Sequence, residues 1–465
     1  TNKNKQTINK SRGIAEKYIK NNINHGDINN EWFAINPNPI NCTTTPTEWS
    51  ESFKNNSAGT LKFDLYKQWN YNFLKSSQNR SEVRSFLKNF PGYAYAYIPQ
   101  NNSIYPRYRF FKNKKTPLGL CTNNFGLRGN DVSLTKNKNI IRIAFIGAST
   151  TINSHTFSFS YPEYIETWLN KWSKEKGYKE RFETLNFGRE GITSKDIKHI
   201  VENDVINFNP DFILYYEGSN QFNLIESVQD EKLRFTAKVI RKTSKTAQSI
   251  FNSYSALGIR LVRVLYILNN NLRNEIDWFN LKAENINSKI GEQGLINIEN
   301  IINDLTKINE VSKTNKAKFI LSSFIWLPNQ NLNLSIENDS SIIDYLNQFI
   351  PFNNIDIERM NEYQNIRLRN FALNNDIFFI DINNDFPKDP ALFIDAIHNT
   401  SEGVKLRSWV ILNNILPLIK EQLLDRRNIN NKQKYSSDKN YYNESVIKVE
   451  LVNGTPRNYQ EVILK

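Results

Sequence analysis

Only two cysteines, Cys42 and Cys121, occur in this chain of 465 residues. Two are too few for a disulfide scaffold or a cysteine-ligated zinc site. They leave open one bridge, as in an exported protein, or two buried thiols. Histidine is also scarce: His25, His155, His199 and His398 are all four. No two of them have metal-ligand spacing, so no metal or other cofactor is expected. No apolar run approaches the roughly 18–20 residues that a membrane-spanning helix needs. The most apolar helical stretch, Gly258–Leu268, is short and carries Arg260 and Arg263. The chain begins at Thr1 and its one methionine is Met360, so an initiator, with any signal or anchor, is expected upstream. Phosphate-binding motifs are missing too: Gly188 and Gly191 do not complete Gly-x-Gly-x-x-Gly, and no Lys-Ser/Thr follows.

What is present suffices for a large core. Hydrophobic residues make up 39% and aromatics 12% of the sequence. The length predicts two to three units, or one domain with large insertions. Sixty basic against 47 acidic residues give a formal charge of +13. This reads first as a solvated basic surface and next as attraction to an anionic glycan or a membrane surface. No nucleic-acid-binding module is recognisable, so nucleic acid is not an expected partner.

Residues 1–135 read as an irregular, Pro-punctuated N-terminal extension. They hold Trp32-Phe33, the alternating Tyr93-Ala-Tyr95-Ala-Tyr97, and Tyr105-Pro-Arg-Tyr108-Arg-Phe-Phe111. Alternating aromatics on a strand pack more often against a neighbouring layer than against sugar rings. Residues 136–424 read as an α/β domain. Strands are expected at Asn139–Ile146, Phe182–Phe187, Phe212–Glu217, Lys318–Trp326 and Ile377–Ile382. Helices are expected at Tyr161–Lys174, Ser194–Asn207, Asp356–Asn374 and Glu402–Leu424, and Thr193 with Asp196 has the spacing of a capping box. This alternation predicts a three-layer sandwich with a parallel sheet of about five strands. Residues 222–315 form a helical, locally basic insertion, as in Lys238-Val-Ile-Arg-Lys242, suited to capping a site or binding a partner. Residues 425–465 form a charged, Asn-rich tail, much of it expected to be disordered or loosely attached.

Sites in an open parallel sheet form beyond the carboxyl ends of its strands. There the first strand leads to Gly147-Ala-Ser149, the second to Gly188-Arg-Glu-Gly191 and the third to Glu217-Gly218-Ser-Asn220. The fifth leads through a loop to Asp395-Ala-Ile-His398, read as opening the last helix. A serine hydroxyl needs a base within hydrogen-bond reach, which His398 can supply while Asp395 orients it. A developing oxyanion needs preorganised donors. The amides of Ser149 and Gly191 and the side chain of Asn220 can provide them. Taken singly, Ser149 could be a helix cap, Asn220 a turn residue, and His155 and His199 ordinary loop and surface histidines. The elbow Gly-x-Ser-x-Gly is absent, because Thr151 occupies its last position.

Together these residues resemble the SGNH (GDSL-type) hydrolase superfamily, over about 138–424. The resemblance implies a flavodoxin-like fold, a Ser149–His398–Asp395 triad and an oxyanion hole of Ser149, Gly191 and Asn220. Thr122-Asn-Asn-Phe-Gly-Leu-Arg128-Gly resembles the lead-in of bacterial envelope-associated members, implying an exported or envelope location. Two positions depart from the usual blocks: Ala148 and Gln221 stand where an acid is common. The expected activity is hydrolysis of O-acyl esters, above all O-acetyl groups, on a small molecule or bacterial glycan. An O-acyltransferase and a non-catalytic glycan-binding protein remain open, as does the oligomeric state.

Overall fold

Five segments become five strands of a single parallel sheet. β1 (Ile140–Gly147), β2 (Arg181–Asn186), β3 (Phe212–Tyr216), β4 (Lys318–Ser322) and β5 (Phe378–Ile380) lie in the spatial order β2-β1-β3-β4-β5. Every neighbouring pair is parallel. Central strands of such a sheet are covered on both faces, which is why β3 is an unbroken apolar run and β1 is apolar but for Arg142. The computed structural model describes residues 2–22, 28–40, 112–113, 120–153, 159–220, 224–227, 231–252, 298–335 and 338–435. It also describes the short strands at 47–48, 93–94, 97–99 and 108–110. Cys42, His25, His155, Gln221 and Gly258–Leu268 lie outside them.

The strand order is that of a flavodoxin-like, doubly wound sheet. The path from β1 to β2 runs one way and the path from β2 to β3 runs back. Right-handed crossovers then put the connecting helices on opposite faces. α1 (Ser149–Ile152) is the turn that leaves β1, and α2 (Tyr161–Glu175) crosses to β2. α3 (Ser194–Asn203), α4 (Glu299–Thr314) and α5 (Asn354–Asn374) cover the other face. Ser194 Oγ and Lys198 Nζ join α3 to α4 through Asp304, at 2.6 and 2.7 Å. α6 (Ser401–Tyr435) returns to the α2 face, where Trp409 meets Trp168 edge-on with ring centroids 5.0 Å apart.

Expected and observed elements differ mainly at their ends. The Thr193–Asp196 capping box is present, but α3 stops at Asn203 and a 3-10 turn, Val205–Phe208, follows. A second box, Ser160 with Glu163, starts α2. The last helix starts at Ser401 and continues to Tyr435, beyond Leu424 and into the tail. The Tyr93–Tyr97 alternation falls into two short strands. Tyr93–Ala94 pairs with Thr47–Glu48, and Tyr97–Pro99 pairs with Tyr108–Phe110. Trp32 and Phe33 are buried in a 3-10 turn, and Phe33 packs on Trp168 and Trp409 with centroids at 6.2 and 5.7 Å. This pair belongs to the core rather than to a sugar-binding face. Cys121 takes part in a disulfide. The insertion shows helices at Leu224–Ser227 and Glu231–Asn252 before α4.

The chain divides into residues 1–415, which hold the sheet, and residues 416–465, whose described part is the remainder of α6. Among the described residues, no helix is long and apolar enough to cross a membrane.

Candidate active site

Sheet order decides which loops meet. β1 and β3 are neighbours, with Gly147 in register with Tyr216, so the loops after them open side by side. The crevice beyond the carboxyl ends lies at this reversal of strand order. Ser149 follows β1 as the first residue of α1, and Asn220 follows β3. Ser149 is buried to 5% exposure.

His398 and Asp395 reach this point from the loop after β5. The Asp395–His398 segment does not open a helix as expected. The Asp395 carboxylate instead accepts the amides of Ile397 (2.9 Å) and His398 (2.8 Å), closing a turn before α6. The loop folds on itself through Ile394 N–H to His398 O at 2.7 Å, and it is tied to the extension of β4 by Leu327 N–H to Ala396 O at 2.8 Å. Gly403 lets α6 approach that loop, since a Cβ there would lie 2.2 Å from Leu392 O.

The result is one line of hydrogen bonds. His398 Nδ1 lies 2.8 Å from Asp395 Oδ2, and His398 Nε2 lies 2.8 Å from Ser149 Oγ. Burial pushes the Asp395 carboxyl up. Electrostatic attraction to His398 and the hydrogen bonds from His398 and Ile397 outweigh that and hold it below the ordinary carboxylate range. An anionic Asp395 accepts the Nδ1 proton, leaving the Nε2 lone pair directed at the Ser149 hydroxyl. Ser149 therefore faces a base in a water-poor setting.

The candidate oxyanion donors follow the ends of β1, β2 and β3. The amide of Ser149 starts α1 and has no intrahelical acceptor. Gly191 sits at φ +67°, in the left-handed region where glycine is favoured. Asn220 Nδ2 donates to Ile192 O at 2.8 Å, tying the loop after β3 to the residue following Gly191. This bond uses one of the two amide hydrogens of Asn220. The structure brings Ser149, His398 and Asp395 into direct contact, and joins Asn220 to the Gly191 loop.

Glu217, at the end of β3, stands out less in the sequence. Its Oε1 accepts the amides of Ser219 and Asn220, both at 2.8 Å, so this buried carboxylate shapes the turn that presents Asn220. Burial raises its pKa to about 7, against the lowering effect of those hydrogen bonds. Asn186 supports the serine from β2, donating to Thr151 O at 2.9 Å. Gly188 lets this strand end close on α1, because a Cβ would lie 2.3 Å from Ile152 N. An acid ending an apolar strand is the one signal by which Glu217 could have been found.

No protein-family model matches the chain, and no curated protein matches it either. Solved structures do match. A GDSL-like lipase from Bacteroides thetaiotaomicron aligns over 62% of this chain and 93% of its own, at 15% identity and a TM-score of 0.31. An acetylxylan esterase from Geobacillus stearothermophilus aligns over 59% and 94%, at 15% identity and a TM-score of 0.33.

Proposed function

We propose that this chain is a carboxylic ester hydrolase working through an acyl-enzyme, with Ser149 as nucleophile. The observation that carries the reading is the continuous line Ser149 Oγ–His398 Nε2 and His398 Nδ1–Asp395 Oδ2, 2.8 Å at each step. His398 takes the serine proton as Oγ attacks the ester carbonyl, then returns it to the leaving alcohol. Asp395 keeps the imidazole in the required tautomer and stabilises its cation. The amides of Ser149 and Gly191 and the side-chain amide of Asn220 receive the oxyanion. Water, activated by His398, then releases the acid.

The substrate class we propose is an O-acylated glycan bearing short acyl groups, O-acetyl first. Support comes from the +13 charge, which favours an anionic polymer, and from the envelope-like lead-in around Arg128. The test is a series of p-nitrophenyl esters from acetate to long chains, with acetate release from O-acetylated bacterial polysaccharide measured alongside. Preference for acetate, with release from the polymer, supports the reading. Activity confined to long-chain esters removes the glycan assignment. Acetate transfer to added sugar hydroxyls faster than to water makes the protein an acyltransferase on the same chemistry.

A further inference from the structure

The four-residue helix α1 carries Ser149 on one turn of chain, too short to hold its own geometry. Beyond the first, its carbonyls are held from outside. Asn153 N–H closes on Ser149 O at 2.8 Å. Arg407 donates to Thr150 O at 2.8 Å, and Asn186 donates to Thr151 O at 2.9 Å. Arg128 Nη1 donates to both Ile152 O (3.0 Å) and Asn153 O (2.8 Å). Arg128 and Arg407 are 3% and 1% exposed. Two buried cations therefore sit at the carbonyl end of the turn, where the helix dipole favours positive charge.

Both guanidiniums are themselves fixed. Arg128 Nε lies 3.0 Å from Glu163 Oε2, which also accepts Ser160 Oγ at 2.7 Å in the cap of α2. The backbone of Arg128 bridges to Asn186 at the edge of β2. The lead-in makes this placement. The Asn123 side chain accepts the amides of Phe125 and Leu127, and Gly126 at φ +76° turns the chain against Phe110 O. Arg407 lies between the rings of Tyr161 and Tyr216, 4.9 and 4.8 Å from their centroids.

We propose that Arg128 and Arg407 are positioning residues for Ser149, clamping the carbonyl end of its turn so that Oγ stays aligned with His398. The clamp rests on the assignment of Ser149 as nucleophile. It gives the lead-in motif a role in the reaction: it delivers Arg128 to the serine turn. Lysine cannot replace Arg128, because one ammonium does not reproduce a planar fork that meets Glu163 and two carbonyls at once.

The test compares Arg128→Lys with the double variant Arg128→Met/Glu163→Gln, which leaves no lone buried charge. Arg142→Lys is the comparator. Arg142 is equally buried but pairs with Glu183 and Ser133 O near the start of β1, away from the serine. For each folded protein, kcat and KM on p-nitrophenyl acetate and the rate of labelling by a fluorophosphonate are measured, with Tm. Both Arg128 variants are expected to lose kcat and labelling rate by about 10- to 100-fold, with KM within about twofold. Arg142→Lys is expected to lower Tm with kcat unchanged. Wild-type labelling at Ser149 with unaltered rates in both Arg128 variants overturns the clamp alone. So does an Arg142→Lys protein that loses kcat as much as Arg128→Lys. Wild-type protein that neither turns over nor labels at Ser149 overturns the nucleophile assignment, and the clamp with it.

Discussion

The side-chain amide of Asn220 donates to the carbonyl oxygen of Ile192, 2.8 Å away. The residue proposed to bind the oxyanion through its side chain thus anchors the loop proposed to bind it through a backbone amide. Asn220→Ala removes both the donor and the anchor. The expected loss is about 10²- to 10³-fold in kcat on an activated ester, the range for one oxyanion donor. Asn220→Asp keeps the size and reverses the hydrogen-bond polarity, so it is expected to lose as much. Steady-state kinetics of the two variants checks this, and a loss seen in KM alone counts against the role.

Asp395 accepts two backbone amides as well as the imidazole. Asp395→Asn keeps the shape of the turn and takes away the anion that fixes the His398 tautomer. A fall of about 10⁴-fold in kcat is expected, with little change in Tm. Kinetics and thermal unfolding on the same preparation decide it; near wild-type turnover would remove Asp395 from the mechanism.

Glu217 links the turn at Asn220 to pH. In the unfolded chain its carboxyl ionises near its ordinary 4.5, and in the folded protein near 7. Between those values the folded state holds a proton that the unfolded state has released. Stability therefore falls as pH rises through that window and is level above it. Glu217→Gln has no such proton. Its stability relative to wild type is expected to rise from pH 5 to pH 8, by at most roughly 3 kcal/mol. Urea unfolding at the two pH values measures this, and a difference that does not change with pH contradicts it.

Gly188 stands against the backbone of the serine turn. Gly188→Ala must push Ile152 or β2 aside, at a cost of about 1–3 kcal/mol with a loss of activity in the folded fraction. Gly177→Ala is the comparison, because a Cβ there meets nothing within 4 Å although φ is +70°. It is expected to lower stability by about 1 kcal/mol through backbone strain and to leave turnover unchanged.

The sheet was legible because strands covered on both faces leave apolar runs, and the runs at β1 and β3 needed little correction. Local patterns were legible too: Thr193 with Asp196 forms the capping box its spacing implies. Competition between side chain and backbone was harder to read. Asp395 so close before a helix looked like part of it, whereas its carboxylate draws the following amides into a turn and α6 begins at Ser401. The periodicity of α3 continued to Asn207, but a 3-10 turn and the left-handed Asn209 break it. Contacts over long separations were least legible. Arg407 and Thr150 are 257 positions apart, and nothing local to either announces the other. Arg128 belongs to a local motif, yet its place at the serine turn follows only from the fold.

The central claim is that His398 and Asp395 activate Ser149 as a nucleophile. The most direct measurement is labelling of the wild-type protein with a fluorophosphonate, with the modified peptide identified by mass spectrometry. Stoichiometric modification at Ser149 is expected, abolished in Ser149→Ala and slowed by about 10³-fold or more in His398→Ala. Labelling elsewhere in the chain, or a Ser149 that stays unmodified in folded wild-type protein, would contradict the account.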